Sequence, residues 1–150
     1  MIRDDIKAAQ LTAMKAGDKE SRNAISLIQA AIKTRDIEAR TGKAPESDDA
    51  LVIEVLQKMV KQRRESIEMF SNGGRQELAD AEAAEVAVIE RFLPQQMDDA
   101  QTAAAIEAIK TELGASGMKD MGRVMAELKA RHASELDMSK ASAAVKAALA

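Results

Sequence analysis

A chain of 150 residues, 46% hydrophobic and 31% charged, has the balance of one folded domain or two small ones and excludes a disordered tail or a fibrous repeat. Its net charge of −3 excludes a generally basic nucleic-acid protein, although a local patch on an acidic chain can still hold phosphate. With no Cys, Trp or Tyr, and Phe70 and Phe92 as its aromatics, it is no disulfide scaffold, and its core has to come from Leu, Ile, Val, Met and Ala.

The opening MIRDDIKAAQ carries acids in its first turns and no apolar h-region, so no secretory signal is expected there. No apolar run approaches the ~20 residues that a membrane span needs, and the cytosol is the expected location. Apolar residues recur at helical spacing along almost the whole chain, and turn-bounded β-branched runs are missing, which predicts an all-α fold. Helix one carries Ile2, Ile6, Ala9 and Ala13 on one face and should stop at Gly17, with Asp18 capping helix two. Helix two buries Ala24, Ile28, Ala31 and Ile32 and runs to about Thr41, where GKAPESD breaks it. Asp48 is the expected N-cap of helix three, whose apolar arc is Val52, Val55, Leu56, Met59, Ile67 and Phe70, and SNGG ends it because Asn72, Gly73 and Gly74 tolerate positive φ. Helix four is expected over 75–92, with Glu77 placed to reach back to a backbone N–H.

FLPQQMDD is the expected border: Pro94 disfavours helix at Leu93, and Asp98 with Gln101 reads as a capping box. The spacing therefore predicts an N-terminal antiparallel four-helix region over 1–93 and a smaller three-helix domain over 94–150. The latter carries Ile106, Ile109 and Leu113, then Met118, Met121, Met125 and Leu128, then Met138, Val145 and Leu149, with seven basic and eight acidic side chains between 98 and 150.

Two helices carry charge where apolar residues belong. At about 100° per residue, with Val55 at zero, Arg63 falls near 80°, inside the arc of Val52, Leu56, Met59 and Phe70, while Lys58, Lys61 and Arg64 fall outside it. On helix four, Glu82 and Glu85 share the face of Leu78, Val86 and Ile89. The short SNGG turn should pack these helices antiparallel, which predicts a partly buried ion pair of Arg63 with Glu82 and Glu85, and Arg35 can join that network. The bland alternative is that these charges snorkel to the rim.

Catalytic signatures are scarce. A glutaminase needs an activated Cys or Ser, and there is no Cys and no Ser in a recognisable nucleophile motif. His132 is the single histidine and aligns with Met118, Met125 and Leu128, as a core-edge residue would; no Glu-x-x-His pair suggests a metal site, and SNGGR lacks the strand and pattern of a phosphate-cradling loop. No cofactor is expected. The Met stripe at 118, 121 and 125 reads as core, or as an adaptable surface for a partner helix.

Read together, AMKAGDKESRNAISLIQAAIK, KQRRESIEMFSNGGRQELADAEAAEVAVIERFLPQQM and GMKDMGRVMAELKAR with VKAAL resemble the YqeY-like family. The C-terminal part of that family is similar to the tail of the B subunit of glutamine-dependent aminoacyl-tRNA amidotransferases. The resemblance implies a helical bundle followed by a three-helix tail-like domain, a partner that is tRNA or a tRNA-charging or amidating enzyme, and an association with carbon–nitrogen ligases that take their nitrogen from glutamine. The domains that perform amide transfer there have no counterpart in this chain, so a non-catalytic accessory module is expected. Carried onto this sequence, the tail motif points to Lys119, Gly122 and Arg123, with Lys129 and Arg131 further along. Gly122 inside a helix costs ~1 kcal/mol relative to Ala, so either a neighbouring helix packs closely on it or an RNA backbone approaches it. Lys61 and Arg64 complete the expected set of phosphate contacts, and with few aromatics the expected mode is recognition of shape and backbone. A protein–protein adaptor that touches no RNA is the competing expectation.

Overall fold

In the computed structural model, which describes residues 1–150, every regular element is helical, as the apolar periodicity predicts. α1 (Ile2–Ala16) closes at Gly17, whose φ of 69° is a left-handed cap that a side chain would strain. Asp18 then accepts from the Ser21 N–H and starts α2 (Lys19–Thr41). α3 (Asp48–Asn72) is the longest element and α4 (Gln76–Glu90) returns along it. Between them, Gly74 carries the left-handed turn at φ 72°, whereas Asn72 stays helical and Gly73 has φ −85°. α5 (Asp99–Leu113) opens on the expected capping box of Asp98 and Gln101. A 3-10 turn (Met118–Asp120) leads into α6 (Met121–His132), and α7 (Met138–Leu149) follows.

The chain divides into two compact units, Met1–Leu93 and Pro94–Ala150. In the first, α1 and α2 run antiparallel, as the Gln10 to Ser26 and Arg3 to Asp36 contacts require, and the three-residue turn of Gly73, Gly74 and Arg75 returns α4 antiparallel to α3. Ile6, Ile25, Ile28, Ile32, Val52, Leu56 and Ile89 form the shared core. Each such side chain contributes roughly 1.5–3 kcal/mol through the apolar surface it removes from water. In the second unit Ile106, Ile109, Val124, Leu128, Val145 and Leu149 converge from all three helices.

Several local expectations need correction. Ser47, not Asp48, caps α3 by accepting from the Ala50 N–H, and Asp48 becomes the first helical residue. Glu77 makes no capping bond; it lies 3.4 Å from Arg75. Ile67, Phe70 and Leu78 are half-buried, because their level of the α3–α4 hairpin lies beyond the residues of α1 and α2 that form the core. A Cβ on Gly122 would meet nothing within 4 Å, so no neighbouring helix packs on it. No helix is long and apolar enough to cross a membrane.

Candidate nucleic-acid interface

The first unit uses its arginines to join helices. Arg63 Nε donates to Glu85 Oε2 at 2.8 Å across the α3–α4 hairpin, with the Arg63 side chain 17% exposed and that of Glu85 37%. No ion pair joins Arg63 to Glu82, which is half-buried one turn earlier on α4. Arg64, one residue on from Arg63, reaches Glu90 at 2.6 Å on the exposed side, and Lys61 is half-buried and also engaged. Arg35 stays out of this network: it faces Glu54 at 3.5 Å and donates to the Lys43 carbonyl.

A stronger junction escaped the periodicity. Arg3 near the start of α1 donates through Nη1 and Nη2 to both carboxylate oxygens of Asp36 at 2.9 Å, and through Nε and Nη2 to Asp48 at 2.8 to 3.2 Å. One guanidinium thereby ties α1, α2 and α3 together, with both pairings in the planar fork geometry that suits Arg. Its hydrogen bonds to the two carboxylates raise the Arg3 pKa further, and the same bond holds the Asp36 carboxyl below the usual carboxylate range. A signal was present: Arg3 lies three residues before Ile6 and Asp36 four after Ile32, one helical turn from core positions in both cases.

In the second unit the tail-motif residues separate into two flanks. Asp120 is 7% exposed and accepts from the Ser116 N–H at 3.0 Å and from Arg123 Nη2 at 2.7 Å. The Ser116 bond, then Arg123, hold its carboxyl below the usual range and lock the turn before α6. Arg123 keeps 57% of its side chain in solvent and Lys119 is exposed. At about 100° per residue, Lys129 lies within ~20° of Gly122, so the open glycine and these cations share the solvent side of α6. Arg131 projects from the other flank to Glu127 at 2.7 Å and to Glu112 of α5, clamping two helices. The Met stripe is mostly core: Met121 and Met125 pack against Val124 and Leu128, and Met118 is 45% exposed. Val124 is completely buried and was missed, although it sits three after Met121 and four before Leu128.

No three His, Cys, Asp or Glu residues converge as metal ligands would. His132 is half-buried at the end of α6, 3.5 Å from Glu135. It completes no nucleophile and base pair, as there is no Cys and no serine hydroxyl bonds to it.

A family profile described as "Yqey-like protein" matches residues 3–149. The chain is 29% identical over 132 residues to a protein of Pyrenophora tritici-repentis named "Altered inheritance of mitochondria protein 41, mitochondrial", covering 84% of this chain and 70% of that one. A Saccharomyces cerevisiae protein of the same name is 28% identical over 120 residues, 76% of this chain and 61% of its own length. An uncharacterized protein of Schizosaccharomyces pombe is 28% identical over 90 residues, 60% of this chain and 70% of that protein.

Proposed function

The chain belongs to the YqeY-like family, and from that membership we propose that it is a non-catalytic helical accessory module of tRNA-dependent amidation, contacting tRNA or a tRNA enzyme in the cytosol. The observation that carries this reading is the open solvent face of α6. Gly122 has free space above it and is flanked by exposed Lys119, Arg123 and Lys129, an arrangement that lets a phosphate approach the helix backbone among cations. The turn that presents this face is held by the Asp120 bonds to Ser116 and Arg123. A Met-lined groove for a partner helix is less well supported, because Met121 and Met125 are spent on the core.

Gly122→Ala separates fold from function. Helix propensity favours Ala by up to ~1 kcal/mol and nothing obstructs its methyl group, so thermal unfolding should occur at the same temperature or slightly higher. Binding to tRNA, followed by gel shift at low salt, should weaken several-fold. Tight binding by the wild type that Gly122→Ala leaves unchanged removes α6 from the interface. Failure of the wild type to shift tRNA at low salt overturns the RNA contact, and glutamine-dependent ATP turnover by the purified chain overturns the non-catalytic role.

A further inference from the structure

The charge of this protein is segregated along the chain. Residues 1–43, which form α1, α2 and the start of the following loop, hold nine basic and six acidic side chains. Residues 44–93 hold six basic and eleven acidic ones, so Lys61 and Arg64 stand on the acidic half of the first unit.

Within α2, Arg22, Lys33 and Arg40 fall on one side, whereas Arg35 turns the other way toward Glu54. With Ile28 at zero, the α2 core residues Ser21, Ala24, Ile25 and Ile32 lie within about 60° of it, Arg22 and Arg40 lie near 120° and Lys33 near 140°. The exposed acids Glu20 and Glu38 both lie near 280°, on the opposite flank. Ser26 and Gln29 fill the basic flank between Arg22 and Lys33. From Arg22 to Arg40 this flank runs about 27 Å at 1.5 Å per residue.

The basic flank borders a groove of about 270 Å³ between the two helices, lined by Arg3, Lys7, Gln29, Lys33 and Asp36 over a floor of Ile6 and Ile32. Arg3 and Asp36 satisfy one another there. Lys7, Arg22, Lys33 and Arg40 are exposed, and no carboxylate lies within ion-pair distance of any of them. Asp36, which lines the same groove, attracts Arg40 at longer range, and Asp4 lies three residues before Lys7 on α1.

We propose that this α1–α2 flank is a second binding surface, and that Lys7, Arg22, Lys33 and Arg40 on it track the sugar–phosphate backbone of a folded RNA. The inference rests on the proposed function for its choice of RNA among polyanions. The flank itself supplies the rest. None of its cations is in an ion pair, three of them are strung along α2 with Lys7 on α1 beside the groove, and the Gln29 amide lies between them, as backbone contacts require. Its apolar floor is sealed, with Ile6 1% and Ile32 3% exposed, and between Gln29 and Arg40 Ile37, 53% exposed, is the one large apolar side chain in solvent, short of the cluster of apolar anchors that a bilayer or a protein interface uses.

The test is tRNA binding by the full chain across salt concentration, for the wild type and for Lys7→Gln/Arg22→Gln/Lys33→Gln/Arg40→Gln, with folding checked by circular dichroism. Loss of four phosphate contacts should flatten the log–log salt dependence by about three to four and weaken binding at least about 100-fold at low salt. Lys7→Arg/Lys33→Arg, which keeps the charge, should bind as the wild type does. If the wild type binds tRNA and the fourfold variant binds equally well, this surface is wrong while the proposed function stands. If the wild type does not bind tRNA, this surface and the RNA contact of the proposed function both fall. Binding of the wild type to anionic phosphatidylserine vesicles but not to tRNA, abolished in the fourfold variant, also overturns the proposal, because the occupant is then a membrane.

Discussion

Replacing Arg3 with Ala should destabilise the first unit by about 2 kcal/mol at pH 7, a figure discounted for side chains that remain about a third exposed. The deletion removes hydrogen bonds from two carboxylates on two different helices, at 2.8 to 3.2 Å, and leaves Asp36 and Asp48 facing each other without the charge between them. The effect should depend on pH with a definite sign. The folded state holds the Asp36 carboxyl below its usual range, so this part of the stability is fully present above the ordinary carboxylate pKa. It is lost as pH falls through the depressed folded value. Urea unfolding of wild type and Arg3→Ala should therefore show a gap that is constant near neutrality and narrows in acid. A gap that does not change with pH would mean that the side chain acts through its aliphatic stem.

Arg63 gives the second large effect and a different signature. Its side chain is 17% exposed and bonds a Glu85 that is 37% exposed. Removing the guanidinium leaves the Glu85 carboxylate without its partner across the hairpin, so Arg63→Ala should cost about 1.5 kcal/mol, below the range for fully buried pairs because water reaches one partner. The double change Arg63→Met/Glu85→Gln should fall within about 0.5 kcal/mol of the wild type, since a half-buried ion pair offsets little more than its own desolvation. Chemical denaturation of the three proteins decides it. An equal loss in both variants would assign the stability to shape rather than charge.

These two junctions show what the sequence makes legible. Arg63 is legible because it interrupts an arc of Val52, Leu56 and Met59, and a charge at an apolar bearing has to be answered by a partner. Arg3 is not legible, for the converse reason. It sits on the flank of α1, one turn from Ile6, and its partner Asp48 reads in sequence as the cap of α3, a task that Ser47 performs. Releasing Asp48 from the cap is what makes it available to Arg3. The caps at Gly17, Asp18 and Asp98 were readable because they depend on local backbone chemistry alone. The exposure of Ile67 and Phe70 was not, because helical periodicity gives the direction of a side chain and says nothing of whether another helix extends far enough to cover it.

The same distinction governs the candidate interface. Angle puts Arg64 among the solvent-facing cations, and the resemblance of the tail motif puts Arg131 among the contacts, yet each is met by carboxylates, Arg64 by Glu90 and Arg131 by Glu112 and Glu127. Lys119 and Lys129 are exposed without such a partner on the open side of α6. A cation already neutralised releases few counterions when a phosphate approaches, whereas an unpaired one contributes a full unit to the salt dependence. On the proposed function, arginines paired between helices hold the fold and unpaired cations are the expected contacts to the ligand.

The salt dependence of tRNA binding by Lys119→Gln/Lys129→Gln, set beside that of Arg64→Gln/Arg131→Gln, tests this division most directly. The lysine variant should lower the log–log slope by about two and the arginine variant should leave it within about half a unit of the wild type. A slope lost with the arginines and kept without the lysines would contradict it.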